Sequence, residues 1–214
     1  MCSRVNTIVA STAVLTASFV SPSAAQMQVE IGATVGYYSP MGSFHPASIH
    51  SVDLPRSPSS LSGAALGGEI RLWAVPRLGL EIAGSTTASR VGGGATPDGE
   101  RPGVPARVNV GTAQLLVRVT GDVNRTRIWI GAGAGAIQHA GAAYEEFGKP
   151  VNYGGVVGLG SAFRIAGRLY ANIGLSTMIY NLDIRGSSLN DPGLRERGTQ
   201  ADMMLRTGLS VNFP

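Results

Sequence analysis

Apolar and polar residues alternate with a period of two along most of this chain, most cleanly at its end. Ala201, Met203, Leu205, Thr207, Leu209, Val211 and Phe213 fall on one face, and Asp202, Met204, Arg206, Gly208, Ser210 and Asn212 fall on the other. A period of two belongs to a strand, and apolar groups opposite charge and glycine fit a strand with lipid on one side and a wet lumen on the other. Eight such segments are predicted, roughly at 28–38, 63–75, 78–88, 107–120, 126–139, 152–165, 168–180 and 200–213. Each has the ~9–11 residues that cross a bilayer at a tilt. The fourth is irregular, because Arg107, Val108, Asn109 and Val110 reverse the parity of its other half. A bulge near Gly111 is expected to reconcile the two halves.

The connections alternate in length. Long ones lie near 39–62, 89–106, 140–151 and 181–199, and short ones near Pro76-Arg77, 121–125 and Ala166-Gly167. Outer-membrane barrels carry long outer loops and tight periplasmic turns. With both termini in the periplasm, every long connection falls outside and every short one inside. The expected fold is all-β: a closed, antiparallel, up-and-down transmembrane β-barrel of eight strands in a bacterial outer membrane.

At 214 residues the chain has room for one ordinary domain. Residues 1–25 read as a cleaved signal peptide, leaving 26–214 as the barrel. Arg4 supplies the positive start, Val5 to Val20 is mostly apolar, and Ser23-Ala24-Ala25 supplies small residues for cleavage. Cys2, the sole cysteine, leaves with that leader, so disulfides and thiol chemistry are not expected. The net charge of +4 becomes +3 without Arg4. Charged residues make up only 14% of the chain, with no basic run, so nucleic acid is not an expected partner.

Charge on the inward parity is the main candidate chemistry. It comprises Glu30, Glu69, Arg71, Glu81, Arg118, Arg127, Arg164, Arg168, Asp202 and Arg206. Arg118, Arg127, Arg164 and Arg168 flank short turns and are expected to snorkel at the periplasmic interface. Glu30, Glu69 and Glu81 lie deeper, where three carboxylates require partners. Arg71 and Arg206 are expected to bridge them as a plug, since an eight-stranded bore is just wide enough for side chains to fill. Trp73 and Trp129 share the inward parity near the turns and fit a barrel floor. Tyr37, Phe163, Phe213 and Tyr153 are placed for the membrane interfaces. Gly131-Ala-Gly-Ala-Gly135 and Gly155-Val-Val-Gly-Leu-Gly160 superficially resemble nucleotide loops, but neither opens a helix. Their inward glycines make room for large neighbours. His45 and His50 do not make a metal set, and neither metal nor cofactor is expected.

In this architecture the chain resembles the small eight-stranded outer-membrane barrels of the OmpA/OmpX type. The most specific piece is the ending, where Arg206, Gly208, Val211 and Phe213 match the family's terminal pattern; Pro214 departs from its aromatic terminus. The resemblance implies recognition of that strand by the barrel-assembly machinery, with outer-membrane lipids and lipopolysaccharide as surroundings. It implies a non-enzymatic protein serving envelope integrity or binding an extracellular ligand through loops 39–62, 89–106, 140–151 and 181–199. Three alternatives remain: a narrow, porin-like channel for small solutes, a lipid A-modifying enzyme using His45, His50 or His139, and a soluble, periplasmic barrel that carries a ligand. These histidines lack the local signature of the lipid A deacylase barrels.

Overall fold

Valine, isoleucine, leucine and threonine on one parity, with glycine and charge on the other, suit a pleated sheet whose two faces meet different solvents. The protein, described by a computed structural model, realises that pattern over residues 27–41, 62–91, 94–96, 99–101, 104–120, 126–142, 151–185 and 195–213. Residues 1–25, Pro214, His45, His50 and the bodies of the long connections lie outside these described residues. The strands are β1 (Gln28–Pro40), β2 (Gly63–Val75), β3 (Leu78–Val91), β4 (Gly94–Thr96), β5 (Gly99–Arg101), β6 (Val104–Arg118), β7 (Thr126–Ala140), β8 (Val151–Ala166), β9 (Leu169–Arg185) and β10 (Arg195–Phe213). Eight close into one antiparallel barrel in the order β1-β10-β9-β8-β7-β6-β3-β2, and β4 pairs with β5 in a separate small hairpin.

All eight predicted strands are present, and several run further than the alternation indicated. The β9–β10 ladder continues to Arg185 opposite Arg195, so much of the expected loop at 181–199 is strand. The expected loop at 89–106 holds the ends of β3 and β6 and the β4–β5 hairpin. No bulge occurs at Gly111. It pairs with Gly84 on one side and Ala136 on the other in unbroken ladders. Register shifts fall instead at Trp73/Val75 and Arg164/Ala166, beside two-residue turns. Gly167, at one of these turns, takes a φ of +50°, where a side chain would be strained.

The sheet closes with an offset that sets its tilt. From Val35, ladder partners run through Leu66, Thr86 and Asn109 to Gln138. The other way round they run through Thr207, Ile173 and Ser161 to Ile128, ten residues from Gln138 on the same strand. With a rise of ~3.3 Å and a strand spacing of ~4.8 Å, ten residues over eight strands tilt them by about 40°.

Val35, Leu66, Ile82, Leu115, Val157, Leu159 and Leu209 are exposed on the outer wall, while Glu30, Glu69, Arg71 and Glu81 are buried within. That polarity is the reverse of a water-soluble protein. Tyr37, Tyr153, Phe163 and Phe213 also point outward. A polar row interrupts the apolar wall. The Thr86 hydroxyl donates to Asn109 Oδ1 at 2.8 Å, and Asn109 Nδ2 donates to Gln138 Oε1 at 3.3 Å.

Candidate functional site: the filled lumen

The floor, at the end of the barrel bearing the short turns, is aromatic. Trp73 and Trp129 meet edge to face, 6.4 Å apart at 74°, and pack with Leu116, Ala162 and Tyr170. Two glycines provide their seats. A Cβ on Gly79 would come within 2.7 Å of the Trp73 ring, and one on Gly160 within 2.7 Å of the Trp129 ring. Arg118 is buried and lies over Trp73 at 4.1 Å.

Above the floor sits a charge cluster built by one row of the sheet. Glu30, Arg71 and Glu81 are successive ladder partners on β1, β2 and β3, all facing inward, close enough for cross-strand pairing. Arg71 Nε donates to Glu81 Oε2 at 2.8 Å, and its NH2 donates to Glu69 Oε1 at 2.5 Å. Its NH1 lies 3.5 Å from Glu30 Oε2, and its guanidinium lies 4.3 Å from the Trp129 ring centroid. From β10, Arg206 NH2 donates to Glu81 Oε1 at 2.9 Å, and its NH1 lies 3.6 Å from Glu69 Oε2. Gln114 Nε2 reaches Glu81 Oε1 at 3.4 Å, and Asn172 Nδ2 reaches Glu69 Oε1 at 3.3 Å. Two small cavities, about 10 and 20 Å³, adjoin Arg206. Each is of the size that holds about one water.

The structure therefore brings Glu30, Glu69, Arg71, Glu81 and Arg206 together, and it adds a sixth member. Arg127 pairs with Glu30 and donates through NH2 to the Tyr170 hydroxyl at 2.9 Å. Its expected place at the interface is corrected, as is that of Arg118, because both side chains turn into the bore and are buried. With Arg127 counted, three guanidiniums face three carboxylates. Nearness to a turn hid this in the sequence. The tilt lets a residue near the base of β7 reach one near the base of β1, on the opposite side of the barrel. Arg164 and Arg168 are exposed, with Arg164 Nε donating to Tyr170 at 3.2 Å.

Towards the end bearing the long connections the lumen changes character. Tyr38, Ala65, Val108, Ile137, Val156, Met178, Tyr180 and Met204 form a buried apolar layer, with Val110 packed against it. This layer explains the parity reversal at Val108 and Val110, which face inward because the bore is apolar there. Asp202 accepts hydrogen bonds at Oδ2 from the Tyr38 hydroxyl at 2.6 Å and the Tyr180 hydroxyl at 2.8 Å. His139 is buried in the wall, its ring 6.5 Å from that of Tyr180.

The residues of the terminal pattern take two directions. Arg206 enters the cluster, and Gly208 faces inward opposite Thr34 on β1. Val211 and Phe213 are exposed on the outer wall, paired with Ile31 and Val29.

A closed eight-stranded barrel with a polar bore and an apolar wall has solved counterparts. The fold is that of the small bacterial outer-membrane barrels. The chain is similar to the outer membrane protein OprG of Pseudomonas aeruginosa, at 14% identity over 87% of this chain and 95% of that one, with a TM-score of 0.54. It is similar to the N-terminal β-barrel domain of OprF from the same species, at 13% identity over 87% and 97% of the two chains, with a TM-score of 0.52. For the Escherichia coli outer membrane protein W the identity is 12% over 89% and 100% of the chains, with a TM-score of 0.51. No protein-family model matches the chain, and no curated protein matches it.

Proposed function

We propose that this chain is a non-enzymatic outer-membrane barrel with a sealed lumen. Its termini lie in the periplasm, and it serves the envelope or surface contact through its four long outer connections. One observation carries the reading: the bore is filled twice in series, by the Arg–Glu cluster and by the apolar layer from Tyr38 to Met204. Water and ions crossing it would have to part both. The apolar wall supports contact with lipid hydrocarbon, and lipopolysaccharide surrounds its outer half. The ending at Arg206, Gly208, Val211 and Phe213 supports delivery by the barrel-assembly machinery. An extracellular ligand would be met by the long connections, because the filled bore leaves it no passage.

Conductance tests this reading. The purified barrel in a planar lipid bilayer is expected to show no steady open level. A steady, ion-carrying level in the unmodified protein would replace it with the narrow-channel reading, for which the two small cavities beside Arg206 provide the starting path. Unboiled protein from the membrane fraction should also migrate differently in a gel from boiled protein; identical mobility would count against a closed, membrane-embedded barrel.

A further inference from the structure

Asp202 is a buried acid without a cation. The three carboxylates of the cluster are matched by three arginines, whereas Asp202 forms no ion pair among the described residues and is held at Oδ2 by two tyrosine hydroxyls alone. Its other oxygen, Oδ1, is buried without a partner. Arg206 is four residues away on the same face of β10, about 13 Å at ~3.3 Å per residue. Met204 of the apolar layer lies between them. Burial of an ionised carboxylate without a counter-charge is strongly unfavourable. The residue two positions on, towards the long connections, adds a second observation: Gln200 is also buried and its Oε1 is likewise unpartnered. Gln200 is the ladder partner of Tyr180, so both vacant oxygens flank the tyrosine that fixes Asp202.

We propose that Asp202 and Gln200 form a binding site for the primary ammonium group of a small alkylamine, admitted from the long-connection end. Two vacant acceptors on one strand face suit an N–H-bearing cation, which is recognised by charge-assisted hydrogen bonds. The Tyr38 and Tyr180 hydroxyls hold the acid at Oδ2, which leaves Oδ1 as the acceptor for the cation. Met178, the ladder partner of Asp202, and Met204 are the side chains against which the alkyl part packs, by shifting their flexible thioethers. A hard metal ion is disfavoured: calcium takes six to eight oxygens. No group of three or more acidic, histidine or cysteine ligands occurs among the described residues. An anion would meet two acceptors, one of them a carboxylate oxygen. Both groups are buried, so the guest is a thin, free solute.

The test titrates the full barrel, refolded in detergent micelles, with n-propylammonium chloride and follows the backbone amide resonances of β9 and β10. Sodium chloride and tetramethylammonium chloride at equal ionic strength are the blanks. Saturable shifts at residues 178–181 and 200–204, absent from both blanks, are expected. Asp202→Asn should weaken binding about tenfold or more, and Gln200→Ala by a few-fold. Should Asp202→Asn fail to give the heat-sensitive mobility of a folded barrel, Gln200→Ala decides alone. The proposal is overturned if propylammonium gives no saturable shift, if sodium reproduces it, or if the folded variants bind as the parent does.

Discussion

The two tiers of the lumen exclude water by opposite means. In the tier nearer the short turns, Arg71, Arg127 and Arg206 meet Glu30, Glu69 and Glu81, and each carboxylate depends on specific guanidinium partners. In the tier nearer the long connections, Ile137, Val108, Val156, Met178 and Met204 fill the same bore by volume. A paired tier is brittle, because removal of one charge strands another in a low-dielectric interior. A filled tier is graded, because each lost methyl leaves a cavity of its own size. The difference predicts which substitutions break the barrel and which only loosen it.

The largest effect is expected at Arg71, which touches all three glutamates. Arg71→Met should lower the unfolding free energy by about 3–5 kcal/mol in urea titrations of the lipid-reconstituted barrel. A loss below about 1 kcal/mol would mean the cluster is solvated rather than sealed. Next comes Ile137→Ala in the apolar tier, expected to cost about 2–5 kcal/mol by the same titration. It should stay unfolding-reversible and non-conducting, since the charged tier below is intact. Gly160→Ala pushes a methyl into the Trp129 ring and should cost about 1–3 kcal/mol. Gly155→Ala, where a Cβ meets nothing within 4 Å, is its control. The smallest effect belongs to Thr86→Val on the outer wall, expected within about 0.5 kcal/mol because Thr86 is exposed and its partner Asn109 is only half-buried.

Much of the fold was legible because the alternation is enforced by solvent on both faces. An apolar wall and a polar bore repeat the same choice at every second residue, and the loop rhythm sets the order of strands. Glu30, Glu69, Arg71, Glu81 and Arg206 were legible as inward charge for the same reason. Arg127 was not, since its partner is fixed by the closure offset, a property of the whole sheet that no local pattern carries. Val108 and Val110 misled for a different cause. An apolar residue facing an apolar level of the bore has the same local pattern as a strand with shifted parity, and only the ladder through Gly84, Gly111 and Ala136 separates the two. Strand ends extended past their predicted limits because backbone pairing continues past the alternating segments wherever two neighbours run on together, as at Arg185 and Arg195.

The ten-residue offset has a consequence for how the molecule must form. A slip of one residue at any junction would have to be cancelled elsewhere around the ring, or the last two edges would miss one another. The seam between β1 and β10 is thus the step that ratifies all the others. A chain shorn of its final strand has six well-made junctions and no tube, and two bare edges left searching for company.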